Sequence, residues 1–411
     1  MRNERLVVLV IAITIGFMMA APFAAKAAAY EDKIGVVVVK PNEPVAFGFW
    51  CPIVGPDASY GIDCQRGTQM AIEESGGKLL GHPIKLNSQD AGCNSEGGQT
   101  AAARLASEQQ MVAIIGPCCS TEARGGLPIL WKAGIPVISG GVTGPMFTAP
   151  DRLAEYNFFL RTIHNDKIQG RVAAEYVWKE FKAKTAATIH DGGPYTEGIV
   201  KVFIAEFKKM GGTITSEEAV APTDTDMHPV LTRIAATKPD VLFYPLFATA
   251  AGSVTRQMKE VKGLENTKRM MADTCSYTDT YKAAGEEGVG IRYTATDLGS
   301  FGKSYKDFVA RYEKKYGEKP LSSFTAHHYD ATMMVIASIQ KVAQKAPDGT
   351  LQIGRMKLRD ALYAIKDFQG LTGRITCDQY GDCAASNIAV FEISAETVRT
   401  LIAPEKPVWK P

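Results

Sequence analysis

Apolar strand-like runs alternate with amphipathic helical stretches along most of the sequence, and this alternation limits the fold more than any other feature. The first part of the chain has runs rich in apolar and β-branched residues at 34–39, 45–50, 83–90, 111–116 and 135–139. Strands separated by helices in this way are typical of βαβ units, in which helices cover both faces of a parallel sheet. The pattern therefore predicts an α/β domain.

The same alternation starts again near residue 162. A helical stretch at 166–182 precedes a strand-like run at 185–190, and the next helix ends at Gly211 and Gly212, a common stop signal. We therefore expect a second doubly wound α/β domain of similar size.

Two segments depart from this pattern. The run 34–39 is joined to the next strand through a linker that contains Pro41 and Pro44, which indicates an added edge strand. Near the C-terminus, two strand-like runs within 371–393 flank a turn that contains Gly381. This arrangement predicts a terminal β-hairpin.

The N-terminus has the pattern of a secretory signal peptide. Arg2 and Arg5 precede an apolar run at 6–21, and a small-x-small cleavage motif follows at 25–27. The run is shorter than the ~20 apolar residues that span a bilayer. We expect residues 1–27 to be cleaved off and the mature chain to be free in the periplasm, because no Cys follows the cleavage site.

Charge and composition exclude several classes of function. The chain has 46 Lys and Arg against 44 Asp and Glu, a formal net charge of +2, without the basic footprint of a nucleic-acid or anionic-membrane partner. Hydrophobic residues make up 45% of the chain, which excludes disordered and multi-span membrane proteins. We expect a folded globular protein.

Eight cysteines in an exported chain favour disulfides over metal binding. The sequence has no C-x-x-C motif and no Cys/His cluster with zinc spacing, so we expect no metal and no cofactor. Cys377 and Cys383 flank a turn, and Cys51 and Cys64 flank a joint rich in proline and glycine. Each of these pairs is a candidate local disulfide.

The joints that follow the strands form the candidate ligand site, because ligands of doubly wound sheets bind beyond the carboxyl ends of the strands. These joints lie at 51–60, 90–95, 117–121, 140–145, 191–196, 245–249 and 273–278. There the sequence resembles the periplasmic substrate-binding proteins of ABC transporters, specifically the branched-chain amino acid (Leu/Ile/Val) and amide receptor family. The matching segments, in family order, include VGPDASYG (54–61), DAGCNSEGGQTAAARL (90–105), VAIIGPCCS (112–120), GIPVISGGVTGP (134–145), IHDGGPYTEG (189–198), ADTCSYTD (272–279) and TCDQYGDC (376–383).

The resemblance implies a type I periplasmic binding fold, an α/β protein whose two doubly wound parallel-sheet lobes are joined by three crossovers near residues 161, 297 and 372. Lobe 1 would comprise 28–161 and 297–371, and lobe 2 would comprise 162–296 and 372–411. The implied function is capture of a small polar solute by hinge closure and delivery to the permease of an ABC importer. The solute would be a branched-chain or other amino acid, an amide or a small carboxylate, and the protein would be a monomer.

For the first lobe, the resemblance implies a carboxylate site. Ser120 follows a strand and begins a helix, so its hydroxyl would lie beside free N–H groups suited to an anion. The family holds its ligand's carboxylate with the matching Ser and with a Thr of the next joint, so Ser120 and Thr143 carry over. Backbone groups of Gly141 and Val142 would assist. The alternative is that Ser120 only caps the helix.

Aromatic residues of both lobes are further candidates. Tyr60 and Tyr195 match family aromatics that close over the ligand from opposite lobes. Trp50 and Phe247 fall at strand ends that face the crevice and are candidates for a side-chain pocket. Core packing is the alternative role for all four.

One departure from the family pattern concerns the ligand's ammonium group. Family members that bind α-amino acids place an acid after the strand that matches 268–272. Here Asp273 comes about one position early, and Thr274 takes the expected place. This shift weakens the assignment of an amino acid and leaves an amide or a simple carboxylate open.

The resemblance also implies a disulfide between Cys93 and Cys119, for which Cys118 is the rival partner. In this scheme Cys118 and Cys275 are left over as free thiols near the crevice, because a bond between them would tie the lobes together.

Two other classes of function fit a two-lobed cleft. An enzyme such as a hydrolase would need a catalytic motif, but the sequence has no G-x-S-x-G elbow and no phosphate-binding loop, and the adjacent His190 and Asp191 seldom face each other. A ligand-sensing domain that acts with a receptor partner is the other alternative, and it would usually precede a membrane segment. We expect a binding protein rather than an enzyme.

Overall fold

A computed structural model describes residues 30–384 and 387–411. The predicted signal peptide, residues 1–27, lies outside the described residues. Within the described ranges, no helix is both long and apolar enough to cross a membrane.

Strands and helices alternate along the chain much as the hydrophobic pattern predicts. The strands are β1 Val36–Val39, β2 Val45–Cys51, β3 Lys78–Leu79, β4 His82–Asp90, β5 Met111–Ile115, β6 Val137–Ser139, β7 Phe159–Arg161, β8 Thr185–His190, β9 Thr213–Ala219, β10 Val241–Phe243, β11 Lys268–Met271, β12 Arg292–Thr296, β13 Gln344–Lys345, β14 Leu351–Gly354, β15 Phe368–Gly370, β16 Gly373–Ile375 and β17 Ile388–Glu392. The helices are α1 Ala58–Glu74, α2 Ser95–Ala106, α3 Ser120–Lys132, α4 Asp166–Lys179, α5 Thr196–Lys209, α6 His228–Thr237, α7 Ala248–Gln257, α8 Thr278–Ala284, α9 Lys303–Tyr316, α10 Phe324–Val342, α11 Arg355–Tyr363 and α12 Ala395–Thr400.

The first sheet has six strands in the spatial order β3-β4-β2-β5-β6-β7, parallel except for the β3–β4 pair. All seven residues of β2 are buried, as expected for a strand covered on both faces. Helices α1 and α10 contribute to the core on one face, and α2 and α3 contribute to the core on the other. The chain continues from β4 on one side of β2 to β5 on its other side, which creates a topological switch point.

The second sheet has the order β17-β12-β11-β10-β8-β9, parallel except for the β12–β17 pair. Helices α4 and α5 pack on one face, and α6 and α7 pack on the other. We call each sheet with its helices a lobe. The predicted α/β fold with two doubly wound lobes is confirmed.

The chain passes between the lobes three times. The passages follow β7, β12 and β16, so each lobe is built from separate stretches of sequence. This matches the three expected crossovers, and the exact lobe bounds that we drew from the sequence stay a prediction.

The expected terminal hairpin is wrong. Strand β16 pairs with β15, whereas β17 pairs with β12 at the edge of the second sheet. The two runs separate because β17 is an apolar strand whose first four residues are buried, and the open edge of the second sheet provides that burial. Strand β1 is an edge strand as expected, but it pairs with β14 in a separate three-stranded sheet rather than with the first six-stranded sheet.

Cys93 is bonded to Cys119 and Cys377 to Cys383, the two pairs that we expected. The expected Cys51–Cys64 pair is wrong, because Cys51 is bonded to Cys118 instead. Cys51 ends β2 and Cys118 follows the neighbouring strand β5, so sheet order rather than sequence distance brings them together. Cys118 is therefore not a free thiol.

Candidate functional site

A small cavity, which we call the cleft cavity, lies between the lobes where the strands of both sheets end. Its volume is about 10 Å³, room for about one water molecule. Across it the stacked rings of Tyr60 and Tyr277, which follow strands of opposite lobes, have centroids 4.6 Å apart. The lobes are therefore closed on each other, and any larger ligand requires them to separate.

The first lobe contributes the beginning of α3. Ser120 is the first residue of this helix, and its hydroxyl accepts a hydrogen bond of 3.2 Å from the N–H of Gly144. The first N–H groups of a helix have no partner within the helix, so this end of α3 offers donors to the cleft cavity. Thr143 lies in the same wall.

The joint after β6 is fixed by Ser139 rather than left open for a ligand. The Ser139 hydroxyl accepts the N–H groups of Gly141 at 3.0 Å and of Val142 at 2.8 Å, so both donors are already used. Gly141 lines the cleft cavity, and a Cβ there would lie 2.3 Å from the Tyr60 hydroxyl oxygen, so only glycine fits. Val142 is buried in the core beneath the joint and does not line the cleft cavity.

Trp50 also does not line the cleft cavity. Its indole packs against Gly126 of α3, on the opposite face of the sheet from its strand neighbours Phe49 and Cys51. Successive strand residues point to opposite faces, so a position at a strand end does not by itself aim a side chain at the cleft.

The second lobe contributes Tyr195, Phe247 and Asp273. The Tyr195 hydroxyl donates a hydrogen bond of 2.8 Å to Oδ1 of Asp273, and the Tyr195 ring meets the Phe247 ring edge to face at 5.6 Å. Oδ2 of Asp273 is buried and makes no hydrogen bond of standard geometry among the described residues, but Nε2 of His164 lies 3.4 Å from it. Asp273 and Thr274 both line the cleft cavity, because the 3₁₀ turn at Asp273–Ser276 turns both residues toward it.

A family model described as periplasmic binding protein matches residues 44–397. The chain belongs to the periplasmic binding protein family. This is a family of solute-binding proteins, and the relatives below are binding proteins rather than enzymes.

Two relatives show what this periplasmic binding protein is similar to. It is 27% identical over 355 residues to the Leu/Ile/Val-binding protein BraC3 of Rhizobium johnstonii. The match covers 85% of this chain and 92% of that protein. Its fold matches the leucine binding protein LivK of Thermotoga maritima with a TM-score of 0.76 and 23% identity, over 85% of this chain and 96% of that one.

A third relative carries a different ligand. The fold also matches a solute-binding protein of an ABC transporter from R. palustris in complex with benzoate. The TM-score is 0.72 and the identity is 20%, over 86% of this chain and 94% of that one.

Buried charges lie behind the cleft cavity of this periplasmic binding protein. Nε2 of His164 is 3.4 Å from Oδ2 of Asp273. Burial alone would lower the pKa of His164, but the close, negatively charged carboxylate of Asp273 raises it. Burial, together with the charge of Asp273, raises the pKa of Asp166 to about 7.

Sequence reasoning missed several residues of this site. Tyr277 lies in the joint 273–278, so the strand-end rule contained it without singling it out. Phe324 begins α10 with no strand before it, and His164 and Asp166 lie just after the first crossover strand. The short strand β7 is not predicted from the sequence, so the joint after it was not considered, and a rule based on strand ends cannot find the start of a helix that follows another helix.

Among the described residues, one group could be taken for a metal site. Cys51, Cys118 and His328 bring three potential ligand atoms within 4.8 Å of one another. The two sulfur atoms are bonded to each other, so neither is a free thiolate for a metal ion.

Proposed function

We propose that this chain is the solute receptor of an ABC importer and that it binds an α-amino acid in the cleft cavity. The observation that carries the proposal is the buried carboxylate of Asp273, which lines the cleft cavity opposite the beginning of α3 and, among the described residues, has only His164 as a charged partner at 3.4 Å. A zwitterion needs an anionic group for its ammonium end and N–H donors for its carboxylate end. Asp273 of the second lobe provides the anionic group, and the beginning of α3 in the first lobe provides the N–H donors.

The two ends of the ligand are assigned to opposite lobes. The carboxylate binds at Ser120 and Thr143, where the helix dipole and free N–H groups favour an anion. The ammonium group binds Asp273, whose Oδ1 is already held by Tyr195. Contacts with both lobes form only when the lobes close over the ligand, in an arrangement wider than the one-water cavity of this structure, so the ligand stabilises closure.

The relatives support this ligand class. BraC3 is named for binding leucine, isoleucine and valine, and LivK is named for leucine. The rings of Tyr60, Phe247 and Phe324 provide an apolar surface for an aliphatic side chain. Asp273 comes one position earlier than the family pattern places its acid, but it lies in the cleft cavity.

An aryl carboxylate is the second candidate. Five aromatic residues line the cleft cavity, and the R. palustris neighbour was solved with benzoate. Such a ligand has no cation for Asp273, so that carboxylate would keep His164 as its charged partner. The two candidates therefore differ in how they depend on Asp273.

A thermal-shift screen of amino acids, amides and aryl carboxylates identifies the ligand class. A ligand at 100 times its Kd stabilises the folded protein by about 2.7 kcal/mol, which such a screen detects. We expect aliphatic amino acids to give the largest shifts. The largest shifts from benzoates, with none from amino acids, would assign the second candidate instead.

Calorimetry on Asp273→Asn tests the assignment at the level of the residue. Removing the counter-charge should weaken amino acid binding by about 2 kcal/mol or more, about thirtyfold, because it leaves a buried cation unpaired. Asp226→Asn is the matched control, since Asp226 is an exposed acid of the same lobe. Unchanged amino acid affinity in Asp273→Asn would contradict the proposed site.

Export and delivery are parts of the same proposal. We propose that the signal peptide is removed near Ala27, that the mature protein is a periplasmic monomer, and that it docks on a permease in trans. N-terminal sequencing of the exported protein and uptake assays with a neighbouring permease and ATPase gene pair test these steps. A mature protein that begins at Met1 would contradict export by cleavage. Signalling through a receptor partner without uptake would assign the ligand-sensing alternative.

A further inference from the structure

Behind the cleft cavity, one imidazole is shared by two carboxylates. His164 lies between β7 and α4, and its Nε2 is 3.4 Å from Oδ2 of Asp273 and 2.8 Å from Oε1 of Gln169. Asp166, the first residue of α4, is fully buried, and neither of its carboxylate oxygens has a hydrogen-bond partner among the described residues. We call His164, Asp166 and Asp273 the acid–imidazole cluster.

Hydrogen bonding fixes which nitrogen of His164 exchanges a proton. The amide nitrogen of Gln169 donates to the carbonyl oxygen of Thr294 at 3.0 Å, so Oε1 of Gln169 faces His164 as an acceptor. Nε2 of His164 must therefore carry a hydrogen in both charge states. Nδ1 lies 3.4 Å from the Thr296 hydroxyl, which can donate or accept. Nδ1 is thus the atom that gains or loses the proton.

The surrounding charges leave the cluster with excess acid. Arg161, the nearest cation, forms an ion pair with Asp382, and its guanidinium also donates to two backbone carbonyl groups. His327 faces the cluster from α10. Burial lowers the pKa of His327 to about 3, so this histidine carries no charge at neutral pH. The other titratable groups near the cluster, among the described residues, are the phenols of Tyr60, Tyr195 and Tyr277 and the buried thiol of Cys275.

We propose that binding of an ammonium-bearing ligand releases a proton from the acid–imidazole cluster. His164 is the positioning residue: its positive charge neutralises the negative charge of Asp273 until the cation of the ligand takes over that role. The inference rests on the proposed function, because it needs a cation at Asp273. No bond between heavy atoms changes; only an N–H or O–H bond breaks, and the proton is taken up by water or buffer. The proton leaves Nδ1 of His164 or the carboxyl group of Asp166 and passes to solvent.

The direction of the pH dependence follows from proton counting. The ligand-bound protein holds fewer protons than the free protein, so affinity for the ammonium ligand rises with pH. Burial and the charge of Asp273 raise the pKa of Asp166 to about 7, and Asp273 raises the pKa of His164 against the effect of burial. Asp166 therefore titrates in the range where the change is measurable, and His164 keeps its proton to a higher pH than an ordinary histidine.

Calorimetry in two buffers tests the proposal on the mature full-length protein. The probe is the amino acid with the largest thermal shift, with L-leucine first in the panel, titrated at pH 7 in phosphate and in Tris. Because Tris takes up a proton with a much larger heat than phosphate, proton release makes the two apparent enthalpies differ. We also expect at least about threefold tighter binding at pH 7.5 than at pH 6.0.

His164→Gln should reduce both the buffer difference and the pH dependence, since Gln keeps a donor near the position of Nε2 but cannot titrate. His228→Gln is the matched control, because His228 is also paired with carboxylates but is exposed in α6. Asp166→Asn is the second variant and keeps the test decisive if His164→Gln does not fold.

The outcomes separate this inference from the proposed function. If no amino acid binds, the proposed ligand class fails and this inference fails with it. If an amino acid binds with equal enthalpies in both buffers, only the proton coupling is overturned. Proton release that persists unchanged in both His164→Gln and Asp166→Asn would also overturn it, because the proton would then come from elsewhere.

Discussion

The two lobes approach the cleft cavity with joints that are secured in different ways. In the first lobe, the disulfides Cys51–Cys118 and Cys93–Cys119 join the ends of the three neighbouring strands β4, β2 and β5. The third disulfide, Cys377–Cys383, packs in the core of the first lobe. Among the described residues, the joints of the second lobe at the cleft cavity contain no disulfide, and Cys275 is a buried thiol. Covalent bonds therefore fix the site's joints in one lobe only.

Contacts without covalent bonds hold the joints of the second lobe. Tyr195 follows β8 and reaches Asp273 after β11 through a single hydrogen bond, and Phe247 after β10 supports the Tyr195 ring. Such contacts break and re-form more easily than disulfides. The difference indicates that the first lobe is a fixed receiving surface and that the second lobe is the part that adapts during hinge closure.

The largest expected effect comes from removing the bond between β2 and β5. Cys51 and Cys118 are 67 residues apart, so opening this loop in a Cys51→Ala/Cys118→Ala variant should lower the free energy of unfolding by about 4 kcal/mol in the chain-entropy model. Urea denaturation of the oxidised proteins measures the change. A loss below about 1 kcal/mol would mean that packing, not the disulfide, fixes the first lobe.

The second prediction concerns a buried acid in the same region. Glu122 in α3 accepts backbone N–H groups of Cys93, Cys118 and Cys119, yet burial outweighs these bonds and raises its pKa to about 8. Because the folded pKa lies above the unfolded value, the stabilisation is fully present below about pH 4.5 and is lost as pH rises through about 8.

As the pH rises from 5 to 7, the raised pKa of Glu122 should lower the free energy of unfolding by about 2–3 kcal/mol. Glu122→Gln keeps an acceptor oxygen and removes the titration, so its stability should fall less over the same interval. Asp63 and Asp330 have pKa values raised by burial to about 6, so they also lower stability as the pH rises. The measurement is therefore the difference between the variant and the wild type in the slope of the free energy of unfolding against pH. Parallel pH profiles would contradict the assignment.

The sequence predicts the fold well because the signal is distributed over many residues. Each buried strand carries several apolar residues in succession, and each helix repeats the pattern, so single errors do not change the architecture. The wrong predictions are pairings. Cys51 was paired with Cys64, and β16 with β17, from their closeness in sequence, whereas the order of strands in the two sheets decides both.

The site was predictable where it follows strands that the sequence predicts and unpredictable elsewhere. Ser120, Tyr195 and Asp273 lie in such joints and line the cleft cavity. Trp50 also lies at the end of a strand, but its side chain points to the other face of the sheet. Side chains alternate between the two faces along β2, and this alternation decides where Trp50 points. His164 also follows a strand, but β7 has only three residues and is not predicted from the sequence, so its contact with Asp273 could not be expected.

The third prediction tests the receiving surface itself. Ser120→Ala should weaken binding of the best amino acid by about 1–2 kcal/mol, because it removes a buried hydroxyl partner of the ligand carboxylate. It also leaves the N–H of Gly144 without its acceptor, so a smaller loss of stability should accompany the loss of affinity. Calorimetry and urea denaturation separate the two effects, with the exposed Ser107→Ala as the control. Unchanged affinity would place the carboxylate site elsewhere.

The smallest expected effects concern the two free thiols and decide what makes the lobes differ. Cys64 in the first lobe and Cys275 in the second are both buried and unbonded, so changing either to Ala removes one sulfur atom from a core and should lower the free energy of unfolding by about 1 kcal/mol. Similar losses in both lobes would show that a buried cysteine contributes the same free energy of unfolding in each lobe. The large loss expected for Cys51→Ala/Cys118→Ala must then come from the bond itself. A Cys64→Ala loss as large as that of the double variant would instead attribute the rigidity of the first lobe to its packing.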